Sequence, residues 1–460
     1  MTTPAPGHVS PDAIRTLFAQ AMSTMYRTEV PLYGTLMTLV TETNAEALAA
    51  DPALAGRLQR SDALDRLDAE RHGAIRVGSA RELGILRRMF AVMGMRPVGY
   101  YDLSVAGVPV HSTAFRPVEA QALARNPFRV FTSLLRLELV EDPDLRRRAA
   151  DVLDRREIFT PAALDLIAQA ERDGGLGEAD ARRFVAEALE TFRWHGEATV
   201  SQAEYRALHD AHRLIADVVC FPGPHINHLT PRTLDIDAAQ AAMRAHGIAA
   251  KAVIEGPPRR HCPILLRQTS FKALEEAVRF PAADGRSHDD DSGTHTARFG
   301  EIEQRGLALT PKGRALYDRL LTEARDAGGA GSTGDDYATR LQAAFAAFPD
   351  DDDTLRREGL GYYRYALTDA GHADPTAVAG RSPDAAIAAG LVTADPIVYE
   401  DFLPVSAAGI FQSNLGGGEQ RAYAAQANRD AFEEALGTAV HDEFAIYAGL
   451  ERDSLAALGF

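Results

Sequence analysis

The sequence predicts an α+β protein in which a mixed β-sheet is assembled from separated parts of the chain, with many helices inserted between the strands. Short β-branched or aromatic runs bounded by Gly and Pro are concentrated in residues 71–137 and 218–310, as is typical of strands. Helical periodicity fills most of the remaining chain and interrupts both regions. At 460 residues, the chain is long enough to bury a large core without disulfides or a structural metal.

The N-terminal part, residues 10–70, is predicted to be helical. Ser10 and Pro11 suit the N-cap and first turn of a helix, and apolar residues then recur at helical spacing. In the first strand-rich part, strands are predicted in GAIRVG, PVGYYDLS and VPVHSTAF. Between the first two lies SARELGILRRMFAVMGM, which predicts a helix capped by Ser79 and ended near Gly94. This order predicts a strand–helix–strand–strand unit.

The second half of the chain repeats the alternation. Residues 138–217 have helical periodicity and predict a helical insertion. In residues 218–310, strands are predicted in ADVVCF, INHLT, KAVIEG, PILLRQTS and ARFGEIEQRG, while ADGRSHDDDSGTHT, near 283–296, predicts an exposed acidic loop. Residues 311–460 begin with a helix and mix short helices with the apolar segment VYEDFLPVSAAGIF. We expect all these parts to form a single catalytic unit, 1–460.

Charge and composition exclude several classes of protein. Acidic residues exceed basic ones by 16, and a surface of that sign repels phosphate backbones, so no nucleic-acid partner is expected. Only Cys220 and Cys262 are present, which excludes a disulfide framework and cysteine-rich zinc sites. The N-terminus lacks the pattern of a secretory signal, and no unbroken apolar run of about 18 residues predicts a membrane span. We expect a cytoplasmic protein with no membrane contact and no obligate protein partner.

Histidines on predicted strands are the first candidates for chemistry. His72, Ala74 and Arg76 share one face of the first strand, because side chains alternate along a strand. By the same rule, His225 and His228 in FPGPHINHLTPRTLDID fall on opposite faces, so we expect only one of them to point inward. An inward histidine in this segment fits a metal ligand and a core residue equally well.

An arginine on the inner face of a strand needs a negative partner, because an unpaired buried charge is costly. For Arg76, one candidate is a substrate carboxylate, which a guanidinium can bind through two parallel hydrogen bonds. The other candidate is an Asp or Glu of the protein itself. The sequence favours neither.

The segment ARFGEIEQRG supplies carboxylates. Glu301 and Glu303 share one face of the predicted strand, and two like charges there require a cation, arginine partners or water. Arg298 and Arg305 lie close enough in the sequence to neutralise them without a metal. Two histidines and one carboxylate from separate strands nevertheless match the non-haem iron(II) arrangement, which leaves coordination positions open for substrate and dioxygen.

Long segments of the chain together resemble one known family. The segments are ERHGAIRVG, MGMRPVGYYDLS, GVPVHSTAFRP, FRVFTSLLRLEL, GPHINHLTPRTLDID, RQTSFKAL, ARFGEIEQRGLALTPKGRALYD and VYEDFLPVSAAGIFQSNL. They resemble the 2-oxoadipate dioxygenase/decarboxylase family, whose members are also called 2-hydroxyglutarate synthases, over about residues 10–450. The resemblance implies a vicinal-oxygen-chelate-like fold, with a mixed sheet curled around a metal and extensive helical insertions.

The resemblance also implies the residues of the site. It implies an iron(II) centre with three ligands: His72, His228 and Glu301. It implies substrate contacts from four residues: Arg76, His228, Val405 and Ser406. In this arrangement Arg76 takes the distal carboxylate of the substrate. Val405 and Ser406 lie beside the bound acid, at positions where the sequence alone predicts buried packing.

The implied reaction uses a small 2-oxo dicarboxylic acid and O2. Oxidative decarboxylation of 2-oxoadipate and hydroxylation of the same shortened molecule give 2-hydroxyglutarate and CO2, with lysine degradation as the implied setting. Two other hypotheses stay open: a metal-dependent isomerase or lyase on the same scaffold, since imidazole and carboxylate bind many divalent ions, and a non-catalytic dicarboxylate binder with structural histidines. Oxygen consumption in the presence of iron and 2-oxoadipate distinguishes the three.

Overall fold

The computed structural model describes residues 7–61, 63–271, 275–281, 292–296, 298–326, 334–403 and 418–460. Its strands are β1 (Arg71–Val77), β2 (Arg96–Asp102), β3 (Val110–Arg116), β4 (Arg129–Leu135), β5 (Leu229–Pro231), β6 (Leu266–Ser270), β7 (Glu275–Arg279), β8 (Ser292–Thr296), β9 (Glu301–Arg305), β10 (Tyr363–Leu367) and β11 (Val392–Pro396).

The helices surround these strands along the whole described chain. They are α1 (Pro11–Glu29), α2 (Pro31–Ala50), α3 (Pro52–Arg60), α4 (Ala80–Val92), α5 (Ala120–Arg125), α6 (Pro143–Asp154), α7 (Pro161–Asp173), α8 (Glu178–Glu190), α9 (Gln202–Ala211), α10 (Arg213–Val219), α11 (Ile236–Ala245), α12 (Pro311–Asp326), α13 (Gly334–Phe345), α14 (Asp352–Arg357), α15 (Asp369–Ala373), α16 (Pro383–Ala388), α17 (Gly418–Leu436) and α18 (Glu443–Ala457).

A five-stranded mixed sheet brings distant parts of the chain together. Its order is β2–β3–β4–β1–β5, in which β1 runs parallel to β4 and the other neighbours are antiparallel. Beyond β5, Arg232 bridges Glu303, and the Thr233 amide donates to the Glu303 carbonyl at 2.7 Å. These contacts place β9 and its antiparallel partner β6 beside β5. The predicted α+β architecture with a mixed sheet is confirmed.

Several predicted elements form because their local signals are strong. In α1, the Ser10 hydroxyl accepts from the Ala13 amide at 3.2 Å and a proline follows the cap. In α4, Ser79 and Glu82 form a reciprocal capping box, and Gly94 follows the helix with φ +69°. The predicted strand–helix–strand–strand unit is therefore confirmed as β1–α4–β2–β3.

Three predictions of local structure are wrong. ADVVCF, predicted as a strand, lies mostly in α10, because a short apolar run also fits a buried helix and His212 caps this one. KAVIEG forms no strand; Glu255 within it and Ala250 just before it make only isolated bridges. Ser292–Thr296, predicted as the end of an acidic loop, forms β8 and pairs with β7, whereas residues 282–291 lie outside the described chain.

The largest hydrophobic core lies on the helix-covered side of the sheet. Ile75 and Val77 of β1, Phe115 of β3 and Val130 of β4 join apolar residues of α1, α2, α4 and α8 in this core. Because strand side chains alternate, the even-numbered residues of β1 lie on the opposite face. Within the described parts of the chain, no helix combines the length and the apolar character that crossing a bilayer requires.

Candidate metal centre

The site is built on the face of β1 that points away from the helical core. His72 is 1% exposed and is aligned with Thr230 of β5 on one side and Arg129 of β4 on the other. Arg76 lies four residues further along the same face. The regular alternation of β1 thus brings the predicted histidine and arginine to one side of the sheet.

Three of the predicted residues converge on this face. The ligand atoms of His72, His228 and Glu301 all lie within 4.8 Å of one another. Glu301 Oε2 is 3.2 Å from His72 Nε2 and 3.6 Å from His228 Nε2. Adjacent ligands around an ion with bonds of about 2.1 Å stand about 3.0 Å apart, so the three fit a divalent cation after a small adjustment. Among the described residues, no other His, Cys, Asp or Glu group of this kind occurs.

Two polar residues that the sequence did not single out hold the Glu301 carboxylate. Thr230 Oγ1 and Gln268 Nε2 each donate to Glu301 Oε2 at 3.0 Å. Burial by itself would raise the pKa of Glu301, but His228, His72 and Thr230 outweigh it and lower the pKa. The side chain is therefore an anionic carboxylate, the form that binds a cation.

Glu303 occupies a different environment from Glu301. It is fully buried, and Arg305 donates to its two oxygens from Nε at 2.7 Å and from Nη2 at 2.9 Å. Although burial opposes ionisation, Arg305, His72 and Arg129 lower the pKa of Glu303 to about 2. Its Oε2 also lies 2.9 Å from Nδ1 of His72, on the side of the ring opposite Glu301. The arginine-neutralised carboxylate of this strand is thus Glu303, and Arg305 is its partner.

The expectation that only one of the two histidines of the HINH segment points inward is wrong. His225 is 3% exposed and the His228 side chain 13% exposed, because residues 225–228 are not a strand and side-chain alternation does not apply. His228 faces Glu301, whereas His225 Nε2 lies 3.4 Å from Asp217. Burial lowers the pKa of His228 to about 4, so its imidazole is neutral, as metal binding requires.

Two phenylalanine rings lie against the histidine rings of the centre. Phe299 packs on His228 with ring centroids 4.8 Å apart, and Phe402 meets His72 edge-on at 4.9 Å. Phe402 also lies under the Arg305 guanidinium at 5.4 Å. Both histidine rings are therefore in contact with an apolar aromatic side chain.

Arg76 meets an internal acid, the second of its two predicted partners. Its Nη1 donates to Asp217 Oδ2 at 2.8 Å, while the side chain keeps 29% of its surface exposed. Among the described residues, Nε and Nη2 of Arg76 have no hydrogen-bond partner. The internal pair therefore leaves part of the guanidinium free for another anion. Val405 and Ser406 lie outside the described residues.

Fold and site together define the class of this protein. It is an α+β protein with a mixed sheet that carries a candidate metal centre of two histidines and one carboxylate beside a partly exposed arginine. A sequence model of the family described as 2-oxoadipate dioxygenase/decarboxylase matches residues 18–414. The chain belongs to the 2-oxoadipate dioxygenase/decarboxylase family, so the predicted family is confirmed and the chain is an enzyme.

Individual relatives support this assignment over almost the full chain. A Pseudomonas putida protein named 2-oxoadipate dioxygenase/decarboxylase is 60% identical, with 99% of this chain and 98% of the relative covered. An Escherichia coli protein of the same name is 58% identical, with 98% and 99% covered. A crystal structure of the hydroxyglutarate synthase from Pseudomonas putida in complex with 2-oxoadipate matches with a TM-score of 0.92 at 59% identity, covering 99% of this chain and 100% of the other.

Proposed function

We propose that this chain converts 2-oxoadipate and O2 into 2-hydroxyglutarate and CO2 at an iron(II) centre held by His72, His228 and Glu301. The observation that carries the proposal is the convergence of their three ligand atoms on one face of the sheet. The reaction balances: the first carboxyl group leaves as CO2, one oxygen atom completes the new carboxylate, and the other becomes the 2-hydroxyl group. Family membership supports the same reaction.

The protein supplies the metal with ligands whose charge states are set by their surroundings. Iron(II) bound by two imidazoles and one carboxylate supplies open coordination positions and redox chemistry with dioxygen. His228 enters the site neutral because its pKa is about 4, and Thr230 and Gln268 orient Glu301 through hydrogen bonds of 3.0 Å. Such outer contacts fix the direction of a ligand and tune its affinity.

Arg76 is proposed as the binding group for the distal carboxylate of the substrate. Four residues along a strand span about 13 Å between Cα atoms, and an arginine reaching back toward His72 shortens the gap to the size of a dicarboxylate. The Arg76 side chain is 29% exposed and has N–H groups to spare beside its contact with Asp217. A 2-oxo monocarboxylic acid would leave those groups unpaired in the pocket, which disfavours its binding.

The surroundings of the ligands fit a reaction that must be confined to one molecule. Phe299 and Phe402 cover the rings of His228 and His72, and side chains of this kind keep water from the reacting groups. We include His228, Val405 and Ser406 among the residues beside the bound acid. The last two assignments rest on the family resemblance, because these residues lie outside the described chain.

We further propose that the sheet curls around the metal in the vicinal-oxygen-chelate manner and that residues 1–460 act as one catalytic unit. The support for the first point is that two parts of the chain each begin with a strand and a helix and continue with further strands, and that their first strands are neighbours. These parts are β1–α4–β2–β3–α5–β4 and β5–α11–β6–β7–β8–β9. For the second, Arg116 of β3 binds Asp401 through two hydrogen bonds, from Nε at 2.7 Å and from Nη2 at 2.8 Å, which joins the C-terminal part to the sheet.

The deciding experiment is an oxygen-electrode assay with enzyme loaded anaerobically with iron(II). We expect one O2 to be consumed and one CO2 released for each 2-oxoadipate that becomes 2-hydroxyglutarate. Turnover of 2-oxoadipate without oxygen uptake would support a metal-dependent isomerase or lyase instead. Binding of 2-oxoadipate without any turnover would support a dicarboxylate binder.

A further inference from the structure

A second buried polar cluster lies beside Arg76, and its residues are not ligands of the candidate metal centre. Asp217 of α10 is at its middle: Oδ2 accepts from Arg76 Nη1 at 2.8 Å, and Oδ1 lies 2.9 Å from His295 Nε2 and 3.4 Å from His225 Nε2. The side chains of Asp217, His225 and His295 are 8%, 3% and 4% exposed. One carboxylate is therefore held by groups from three separate parts of the chain.

An aromatic shell fixes this cluster from outside. Tyr205 Oη lies 2.9 Å from Nδ1 of His295, and the Trp194 ring stacks parallel to His295 with centroids 6.2 Å apart. Trp194 also meets His225 edge-on at 4.9 Å. Because close-packed rings leave little room for rearrangement, the position of the Asp217 carboxylate is set by its surroundings rather than by Arg76.

Asp217 is anionic at neutral pH. Burial by itself would raise its pKa, but His225, His295 and Arg76 outweigh burial and hold the pKa well below the usual range. Arg76 faces a fixed negative charge, and a charge-assisted hydrogen bond to a fixed acceptor restrains the planar guanidinium. With one N–H of Nη1 committed to Asp217, the N–H groups of Nε and Nη2 remain for a ligand.

We infer that Asp217 is a positioning residue that fixes the Arg76 guanidinium at one distance from the metal centre, so that the enzyme selects 2-oxo dicarboxylic acids by chain length. An unrestrained arginine has a long, flexible side chain and could bind carboxylates at several distances from the metal centre. A guanidinium held in one place binds well only the acid whose two ends match its distance from the metal. Because the side chain is already ordered, it loses little conformational entropy when this acid binds. The inference rests on the proposed function, in which Arg76 binds the distal carboxylate.

The first test replaces Asp217 by its neutral isostere. Asp217→Asn should raise KM for 2-oxoadipate while kcat and bound iron stay close to wild type. We expect the ratio of kcat/KM for 2-oxoadipate to that for the one-carbon-shorter 2-oxoglutarate to fall about tenfold, the scale of one misplaced charge-assisted hydrogen bond. Glu197→Gln is the matched control, since it removes an exposed carboxylate from its pair with Arg279 and should leave the ratio unchanged.

A second variant keeps the charge and changes the position. Asp217→Glu lengthens the acid by one methylene group and should push the guanidinium toward the metal, so that preference moves toward the shorter acid. A merely structural role for Asp217 does not produce this shift. If either variant accumulates poorly, the other carries the test, and a melting curve of each records any loss of stability beside the substrate ratio.

Anaerobic calorimetry with iron-loaded enzyme and each acid separates this inference from the proposed function. Equal selectivity in wild type, Asp217→Asn and Asp217→Glu, with melting temperature alone reduced, would overturn the inference. Selective binding by wild type without oxygen uptake would overturn the proposed reaction and leave the inference standing. Loss of selectivity in Asp217→Asn together with normal oxygen uptake by wild type supports both.

Discussion

Two glutamates on one strand give a matched pair of substitutions that tests how the centre is built. Glu301 and Glu303 lie two residues apart in β9, and both contact His72, through Nε2 at 3.2 Å and Nδ1 at 2.9 Å respectively. Glu301→Gln should lose the metal and keep the fold. Glu303→Gln should weaken metal binding less than Glu301→Gln does and should lower folding stability more.

The magnitudes follow from the partners of each carboxylate. Structural zinc sites with four protein ligands bind with about 10–16 kcal/mol, roughly 3 kcal/mol for each ligand. At that scale, replacing Glu301, one of three proposed ligands, should weaken metal binding by roughly 100-fold or more. The fold tolerates this change, because Glu301 is 12% exposed and Thr230 and Gln268 can bond a glutamine amide as well. Glu303→Gln removes the nearer carboxylate of the buried Arg305 and leaves only Glu70, at 3.7 Å, which costs about 3–5 kcal/mol. The loss of the contact with His72 weakens metal binding about 10- to 100-fold.

The assay measures two quantities for each variant: the iron(II) dissociation constant by chelator competition under anaerobic conditions, and the free energy of unfolding of the metal-free protein by urea titration. Because the substitution is the same and the positions are two residues apart, each variant controls for the other. The assignment of Glu301 would be refuted if Glu301→Gln kept iron while Glu303→Gln lost it. Equal loss of metal in both variants would show that the pair acts together.

Three further predictions concern the substrate, the packing and the metal. Arg76→Ala should lower kcat/KM for 2-oxoadipate roughly 10- to 150-fold, which corresponds to a charge-assisted contact of about 1.5–3 kcal/mol. Iron binding should be retained, and the melting temperature should be nearly unchanged because His295 still contacts Asp217. Steady-state kinetics together with a melting curve checks this. Gly306→Ala should destabilise the fold by about 1–3 kcal/mol in urea titration, since a Cβ there would lie 2.2 Å from the Pro263 carbonyl. Gly449→Ala in α18 is the control and should not destabilise it, because the nearest atom is the end of the Arg452 side chain at 3.6 Å. Removing the metal with a chelator should abolish oxygen uptake and lower the melting temperature, and iron(II) should restore both; full activity of metal-free enzyme would contradict the proposed centre.

Sequence reasoning succeeded where the backbone is regular. The alternation of β1 predicted correctly that His72 and Arg76 share a face, because Ile75 and Val77 between and beyond them enter the helical core. It failed at His225 and His228, where the chain is irregular: His225 is buried in one cluster, and His228, 13% exposed, lies in another. A period-two rule carries no information about a segment that is not a strand.

Other parts of the site depend on pairing that the sequence does not display. Gln268 reaches Glu301 only because β6 and β9 align with Ser270 opposite Glu301, and neither strand contains a signal for that register. Likewise, Asp217 lies in a run predicted as a strand, and His295 in a segment predicted as an acidic loop. Long-range contacts between such segments decide their roles, so local patterns could not single them out.

The arginine that follows the two glutamates favours Glu301 over Glu303 as the proposed metal ligand. Arg305 lies two residues after Glu303 on the same strand face, so its Nε and Nη2 donate to Glu303 at 2.7 and 2.9 Å. Glu301 is four residues away from Arg305. Arg305 is itself held by the carbonyls of Tyr399 and Asp401, at 2.8 and 3.0 Å. Because Arg305 neutralises Glu303, Glu301 is the carboxylate of this strand whose charge remains available to a cation beside the histidines. His72 contacts Glu301 through Nε2 and Glu303 through Nδ1, and so links the buried Glu303–Arg305 pair to the candidate metal centre.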